Sequence, residues 1–176
     1  MSSISGSPAE ALDRALPDSS GPGRLRDGTG RLLLAGEDRS VSTARSFTRE
    51  ALRLWRLHER AGLEDVLLVG SELVTNAVRH RPAHVTDFEI RVRIGHVAGV
   101  LAVSVEDPHP GRPVVKAPSR SAAGGRGLLL VEAYCDEWLV LPTADGGKQV
   151  CAFWDLPPAA GQRGEQRHDG RLPASG

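Results

Sequence analysis

Residues 71–80 read SELVTNAVRH, and the middle of this stretch decides how the rest of the sequence is interpreted. The stretch has the apolar spacing of a helix, yet Glu72, Asn76 and His80 follow one another at four-residue steps. Asn inside a helix costs roughly half a kcal/mol relative to Ala, and a carboxylate beside a core is costly unless it is paired. Such a polar line therefore needs a reason.

The polar line borders the apolar surface of this helix instead of lying opposite it. At 100° per residue the three polar side chains share an ~80° sector, which Val69 and Leu73 share or border. A solvated face would carry a mixture of Lys, Arg and Glu. The position indicates the wall of a lined cavity, although this stretch alone equally allows Glu72 and Asn76 to be satisfied by neighbouring backbone.

The bulk composition excludes several classes of protein. The chain has 176 residues, with 22 Lys and Arg against 22 Asp and Glu, so no net charge draws it to nucleic acid or to anionic membrane. Two isolated cysteines make no zinc pattern. The first residues lack a secretory leader, and no apolar run reaches the ~18 residues of a membrane span. We expect a soluble, cytoplasmic protein with free thiols and no direct nucleic-acid or membrane partner.

The distribution of Ser, Gly and Pro divides the chain into three parts. Residues 1–28 and 157–176 are rich in small and polar residues without a sustained period, which predicts a disordered N-terminal leader and a disordered C-terminal tail. Residues 29–156 form the single expected domain.

Periodicity within residues 29–156 mixes helices and strands. A strand is predicted at 31–37, helices at 42–60 (ended by Gly62) and 64–80 (ended by Pro82), a hairpin of 87–95 and 100–107, a glycine loop and short helix over 124–135, and a hairpin of 137–142 and 148–156. Helices beside a largely antiparallel sheet predict an α+β fold, a two-layer sandwich.

Two further segments carry candidate chemistry. Asp107 ends an apolar strand before a Pro/Gly loop, where a carboxylate can accept a hydrogen bond from an exocyclic amine such as that of adenine, or simply form a turn. Gly124, Gly125 and Gly127 precede an apolar helix, whose free N–H groups can hold an anion, although a short glycine cluster can also be only a flexible loop. An Asn oxygen can bind Mg²⁺, and a Glu one turn earlier can accept a proton.

Taken in order, the segments ELVTNAVRH, VEDPHPGRP and GGRGLLLV resemble the N-box, G1 box and G2 box of the GHKL (histidine kinase-like) ATPases. The sequence is most similar to small, single-domain actinobacterial members related to anti-sigma factor serine kinases of the RsbW and SpoIIAB type. GGKQVCAFW stands where these proteins have GGKxVWF. The resemblance covers about residues 30–156.

This resemblance implies the Bergerat fold, a mixed and mostly antiparallel sheet with helices on one face, which binds ATP and Mg²⁺. It assigns Glu72 as general base, Asn76 as the magnesium ligand and Asp107 as the reader of the adenine amine. The remaining implied ATP-binding residues are Gly111, Gly125, Arg126, Gly127 and Leu128. His80 receives no chemical role.

The sequence also departs from the family pattern. The loop after Asp107 is PHPGRP and not DxGxG, so contacts to the adenine are expected to be looser. The segment at about residues 112–123 is short and basic, and Arg120 is the first candidate for a γ-phosphate contact. Cys151 stands where relatives often have Trp, an exchange expected to alter side-chain packing and not catalysis.

Three functions compete. The resemblance favours an anti-sigma factor serine/threonine protein kinase, with a sigma factor and an antagonist protein as partners and a homodimer allowed. The alternative is an ATP-binding interaction module without kinase turnover. A histidine kinase fragment is disfavoured, because His58–Glu59 lies one helix before the N-box with no room for a dimerising hairpin.

Overall fold

The computed structural model describes residues 16, 24–26, 28–59, 62–81, 85–111 and 127–157. Within these ranges the elements follow the order β1 (Arg24–Arg26), β2 (Thr29–Ala35), α1 (Arg39–Leu54), α2 (Leu63–Arg79), β3 (Glu89–Val97), β4 (Val100–Asp107), α3 (Gly127–Tyr134), β5 (Glu137–Pro142) and β6 (Lys148–Asp155).

The strands form a single six-stranded sheet in the order β1-β2-β3-β4-β6-β5. All five ladders between the described strands are antiparallel, where the resemblance implied a mixed sheet. β5 runs in the same direction as β4, but β6 lies between them, so the two never pair. The predicted α+β fold is confirmed.

The hairpin of β3 and β4 shows how alternation determines the register. Ile90, Val92 and Ile94 alternate along β3 and therefore share one face, and all three are buried. The strands are joined by a two-residue turn at Ala98 and Gly99, both with positive φ, as the primed turns of tight hairpins require. The second predicted hairpin is also present, because β5 and β6 pair with each other in antiparallel orientation.

One face of the sheet, here called the inner face, is covered by the helices. α2 contributes the largest share of this core, and its buried residues are Val66, Leu67, Val69, Gly70, Leu73, Val74, Ala77 and Val78. These include the apolar surface predicted from the sequence. They pack against inner-face residues such as Val103 and Val105 of β4. Glu72 and Asn76 are only partly buried, so the polar line does run along the border of the core.

The end of α1 corrects a prediction. The helix was expected to continue to residue 60 and to end at Gly62, but it ends at Leu54. Arg56 adopts a left-handed φ of 56°. The N–H of Leu57 donates to Leu52 O and the N–H of Arg56 donates to Arg53 O, which together form a Schellman motif. Gly62 instead occupies the N-cap position of α2.

The sheet begins earlier than the predicted domain start. Arg24–Arg26 pairs with β2, although these residues belong to the predicted leader. Leu16, also in that leader, is buried against a second, smaller cluster on the opposite face of the sheet. The predicted tail from residue 158 onward lies outside the described residues.

Both cysteines are free thiols, as expected. Cys135 packs against the inner-face core, whereas Cys151 belongs to the smaller cluster on the other face, so the sheet separates them. Burial raises the pKa of Cys135 to about 11 and that of Cys151 to about 12. In the described part of the chain, no helix combines the length and the apolarity that crossing a membrane requires.

Candidate functional site

The start of α3 lies directly against the polar line of α2. A Cβ atom placed on Gly127 would come within 2.7 Å of Glu72 Oε2 and within 3.3 Å of both Asn76 Oδ1 and Asn76 Nδ2. Real Cβ atoms essentially never approach another heavy atom as closely as the first of these distances. Only a glycine therefore fits at this position while both polar side chains keep their places.

The side-chain amide of Asn76 is not fully hydrogen-bonded at this contact. Its Nδ2 atom is buried and has no hydrogen-bond partner within the described part of the chain. A buried amide without a partner costs about 1–3 kcal/mol, and such atoms often mark places where a ligand, ion or water completes the network. The amide of Asn76 therefore fits a site that is completed by a bound group.

Asp107, at the end of β4, is held in place from two directions. Its side chain is 1% exposed. Asp107 Oδ1 accepts a hydrogen bond from Lys148 Nζ at 2.9 Å and another from the backbone N–H of His109 at 3.0 Å. Lys148 Nζ also donates to His109 O at 3.1 Å. A buried carboxylate is tolerable here because it has a cation and a backbone donor.

The turn between β5 and β6 explains why Lys148 reaches Asp107. Lys148 is the register partner of Asp107 in the β4–β6 ladder. Gly146 has a φ of 81°, and a Cβ on Gly147 would lie 2.8 Å from Pro108 Cα. The two glycines thus allow the turn to pack directly against the backbone that follows Asp107. This packing brings Lys148 Nζ within hydrogen-bonding distance of the Asp107 carboxylate.

His109 lies beside this ion pair. The residue is 5% exposed, and its ring meets that of Phe88 edge-on, with 4.6 Å between the ring centroids. Its Nε2 is buried and has no hydrogen-bond partner in the described ranges. Desolvation lowers the pKa of His109; Asp107 raises it, and Lys148 and Arg81 lower it.

The structure brings some of the predicted site residues together. Glu72, Asn76 and Gly127 meet between α2 and α3, while Asp107 pairs with β6. Leu128 is buried on α3. Gly111 is exposed and has a φ of 155°, and a Cβ placed there would have no heavy atom of the other described residues within 4 Å, its chain neighbours aside. The remaining predicted positions lie outside the described residues: Pro82, residues 112–123 with Arg120, Gly124, Gly125 and Arg126.

Three residues of this region were not singled out from the sequence: Lys148, His109 and Gly147. In the sequence, Lys148 is the last residue of the GGK in a family motif, and nothing local indicates that it reaches Asp107, 41 residues away. His80, given no chemistry, is exposed and caps α2 through a backbone hydrogen bond to Asn76 O. His58 and Glu59 are exposed in the connection between α1 and α2.

The donor set limits which metal sites are compatible with this region. Within the described ranges there is no group of three or more His, Cys, Asp and Glu side chains able to hold a metal ion. A metal at Asn76 would thus have to take most of its ligands from elsewhere. Mg²⁺ is commonly bound in this way, through one or two protein oxygens with phosphate oxygens and water as the others.

Comparison with known proteins identifies the family of this domain. Residues 34–154, well over half of the chain, match the family model of the histidine kinase-like ATPase domain. Curated proteins give no match. Among solved structures, the chain is similar to the RsbU and RsbW domains of Rv1364c from Mycobacterium tuberculosis, with 23% identity, a TM-score of 0.51, and coverage of 76% of this chain and 33% of that one. This chain therefore spans about a third of that protein's length, and the likeness concerns the fold. The chain belongs to the family of histidine kinase-like ATPase domains.

Proposed function

We propose that this chain binds Mg·ATP between α2 and α3 and acts as an anti-sigma-type regulator that transfers the γ-phosphate to a Ser or Thr of an antagonist protein. The proposal rests mainly on one observation. Gly127, at the start of α3, lies against Glu72 and against the Asn76 amide, whose buried Nδ2 has no partner among the residues that the structure describes. An acid, an amide and a helix N-terminus at one point are the groups that phosphoryl transfer needs.

Each residue of this contact has a distinct role in the proposal. The side-chain oxygen of Asn76 holds Mg²⁺, which when bound neutralises charge on the phosphates. The free N–H groups at the start of α3 face the triphosphate, because the first turn of a helix leaves its N–H groups without intrahelical partners. The absence of a side chain at Gly127 lets the phosphates approach the backbone closely.

Glu72 is the proposed general base. Its Oε2 is the atom nearest to the Gly127 position, so it lies where the phosphates are expected. The acceptor hydroxyl attacks the γ-phosphorus while Glu72 takes its proton, the bond between the γ-phosphorus and the bridging oxygen breaks, and ADP leaves with that oxygen. General-base assistance of this kind typically contributes ~10²–10⁴-fold in rate.

Asp107 is proposed to select the base. Because Oδ1 already accepts from Lys148 and from the His109 backbone, the other oxygen is the one that would accept the exocyclic amine of adenine. A carboxylate oxygen at that position accepts a hydrogen bond and so favours an amine over a carbonyl. The proposed partners remain a sigma factor and an antagonist protein, with localisation in the cytoplasm.

The test measures binding and transfer separately in three variants. Titration calorimetry with Mg·ATP should show binding to the parent chain, and Asn76→Ala should weaken it by ~10-fold or more, because the loss of a ligand falls on the metal-dependent part of the affinity. Glu72→Gln should bind normally and lose ~10²-fold or more of phosphate transfer to a candidate antagonist. Glu132→Gln, which removes an exposed carboxylate from α3, is the matched control.

The proposal fails if the parent chain binds no adenine nucleotide with Mg²⁺, or if Asn76→Ala and Glu72→Gln both behave like the parent chain. A parent chain that binds Mg·ATP but phosphorylates no partner would instead favour the second candidate function, an ATP-binding interaction module. The presence of Glu72 beside Asn76 favours the kinase, because binding alone does not need the base.

A further inference from the structure

The ion pair of Asp107 and Lys148 lies on the face of the sheet that the helices cover. Alternation along β4 puts Asp107 on the same side as Val105, and alternation along β6 puts Lys148 on the same side as Val150. Both valines belong to the core that also contains the buried residues of α2. The ion pair is therefore on the side of the sheet where we propose that the nucleotide binds.

Lys148 is held at two points, so its charge stays beside the carboxylate. Its Nζ donates to Asp107 Oδ1 at 2.9 Å and to His109 O at 3.1 Å, and the side chain is 13% exposed. Among the residues that the structure describes, it is the only cation within 4 Å of the Asp107 carboxylate. His109 does not replace it, because desolvation lowers the pKa of this imidazole and keeps it uncharged at neutral pH.

This arrangement determines which hydrogen bonds Asp107 can offer. Oδ1 accepts from Lys148 and from the backbone N–H of His109, so rotating the carboxylate would break both hydrogen bonds. An ionised carboxylate only accepts hydrogen bonds, whereas a protonated carboxyl group also donates one. A buried carboxyl group without a cation tends to take up a proton. The lysine thus preserves the form of the side chain that distinguishes an amine from a carbonyl.

We propose that Lys148 is a positioning residue for base selection, which keeps Asp107 ionised and in one orientation so that its Oδ2 accepts the 6-amino group of adenine. This inference rests on the proposed function, because it requires the base of Mg·ATP to reach Asp107. Lys148 acts through the carboxylate and makes no contact with the nucleotide. Its loss should therefore change the choice of purine more than the hold on the phosphates.

Titration calorimetry of the full chain with Mg·ATP and with the magnesium complex of inosine triphosphate (ITP) tests the inference, because ITP has a carbonyl oxygen in place of the amine. The parent chain should bind ATP at least ~10-fold more tightly than ITP, since a carboxylate accepts from the amine and repels the carbonyl. Lys148→Met should bring the two affinities within ~3-fold of each other, because a protonated carboxyl group can pair with either. Lys148→Gln, which keeps a donor without the charge, should also lower the ratio and serves if the methionine variant does not fold.

Gln149→Met is the matched control. Gln149 follows Lys148 on β6 and points to the opposite face, where its Nε2 donates to Ser104 Oγ at 3.0 Å. The change therefore also removes a buried polar contact of β6 but leaves Asp107 its cation, and the parent ratio should persist. In an Asp107→Asn background, Lys148→Met should leave the ratio of the two affinities unchanged, because the lysine then has no carboxylate through which to act.

The outcomes separate this inference from the proposed function. A parent ratio in both Lys148 variants would overturn the inference and leave Mg·ATP binding between α2 and α3 intact. A change of ratio on adding Lys148→Met to Asp107→Asn would also overturn it, because the lysine would then contact the base directly. Equal affinities in the parent chain would overturn the inference and the role of Asp107. A parent chain that binds neither nucleotide would overturn the proposed function as well.

Discussion

The close approach of Gly127 to Glu72 and Asn76 explains why the sequence motif has a glycine at this position. Gly127→Ala places a methyl group about where Glu72 Oε2 and the Asn76 amide lie, so one of these groups has to move. We expect Mg·ATP binding to weaken by ~10-fold or more, measured by titration calorimetry. The free energy of unfolding should change little, since alanine also favours the helical conformation.

Gly70 offers the control for that change. It lies inside α2, and a Cβ there meets Val103 Cγ1 and Thr48 Oγ1 at ordinary distances of 3.8 and 4.0 Å. Gly70→Ala should therefore stabilise the fold by about 0.5–1 kcal/mol without altering nucleotide affinity. A Gly127→Ala variant with parent affinity would show that the contact between α2 and α3 does not define the site.

Lys148 is the second residue whose role depends on its partner. Lys148→Met leaves the buried carboxylate of Asp107 without its cation, so we expect the free energy of unfolding to fall by about 3 kcal/mol. Urea denaturation measures the loss. Combining Lys148→Met with Asp107→Asn should recover part of it, because the isolated charge is then gone. A combined variant that shows the simple sum of the two single losses would contradict a direct coupling.

At the scale of the element, the end of α1 carries a local strain. Arg56 adopts a left-handed conformation that costs a non-glycine residue about 1 kcal/mol. Arg56→Gly should therefore raise the free energy of unfolding by about 0.5–1 kcal/mol, measured by urea denaturation. Arg53→Gly, one turn earlier in the helix, should have the opposite effect. A destabilised Arg56→Gly variant would mean that the arginine side chain makes a stabilising contact.

The same element shows why its boundary was predicted wrongly. Apolar residues continue past the last helical turn, with Trp55 partly buried and Leu57 1% exposed. Leu57 is buried as the residue that closes the Schellman motif against Leu52, and not as a member of the helix. The spacing of apolar residues cannot distinguish these two situations, because both put a side chain on the same face.

At the scale of the whole molecule, the buried His109 links global stability to pH. Desolvation lowers the pKa of His109 in the folded chain below its ordinary 6.5, with Lys148 and Arg81 adding to this and Asp107 opposing it. Below pH 6.5 the unfolded chain therefore binds more protons at this position than the folded chain. The free energy of unfolding should fall as the pH drops below 6.5, by at most ~1.4 kcal/mol per pH unit from this group.

Urea denaturation at pH 7.5 and pH 5.5 checks this dependence. His109→Gln should lose less stability between the two values than the parent chain, whatever its stability at pH 7.5. His58→Gln, which removes an exposed imidazole, serves as the control. Equal losses in the parent chain and in His109→Gln would contradict the assignment.

The sequence by itself determined the family and the type of every described element except β1, whereas it placed the end of α1 too late. Alternation in β3 and β4, the three-to-four spacing in α2 and the three motifs were sufficient for the α+β fold and for the placement of Glu72 and Asn76 beside the core. Each of these patterns involves nearby residues of one helix or strand. The backbone geometry of that element fixes which side chains share a face, so the pattern predicts the buried face directly.

Only the tertiary structure decided which distant residues meet. Three contacts join residues that are far apart in the chain: Gly127 with Asn76, Lys148 with Asp107, and Leu16 with the face of the sheet opposite the helices. Such contacts depend on the order of the strands and on where the turns close, and alternation specifies neither. The pattern could place a carboxylate at the end of β4, but the lysine that holds it is supplied by the pairing of β6 with β4.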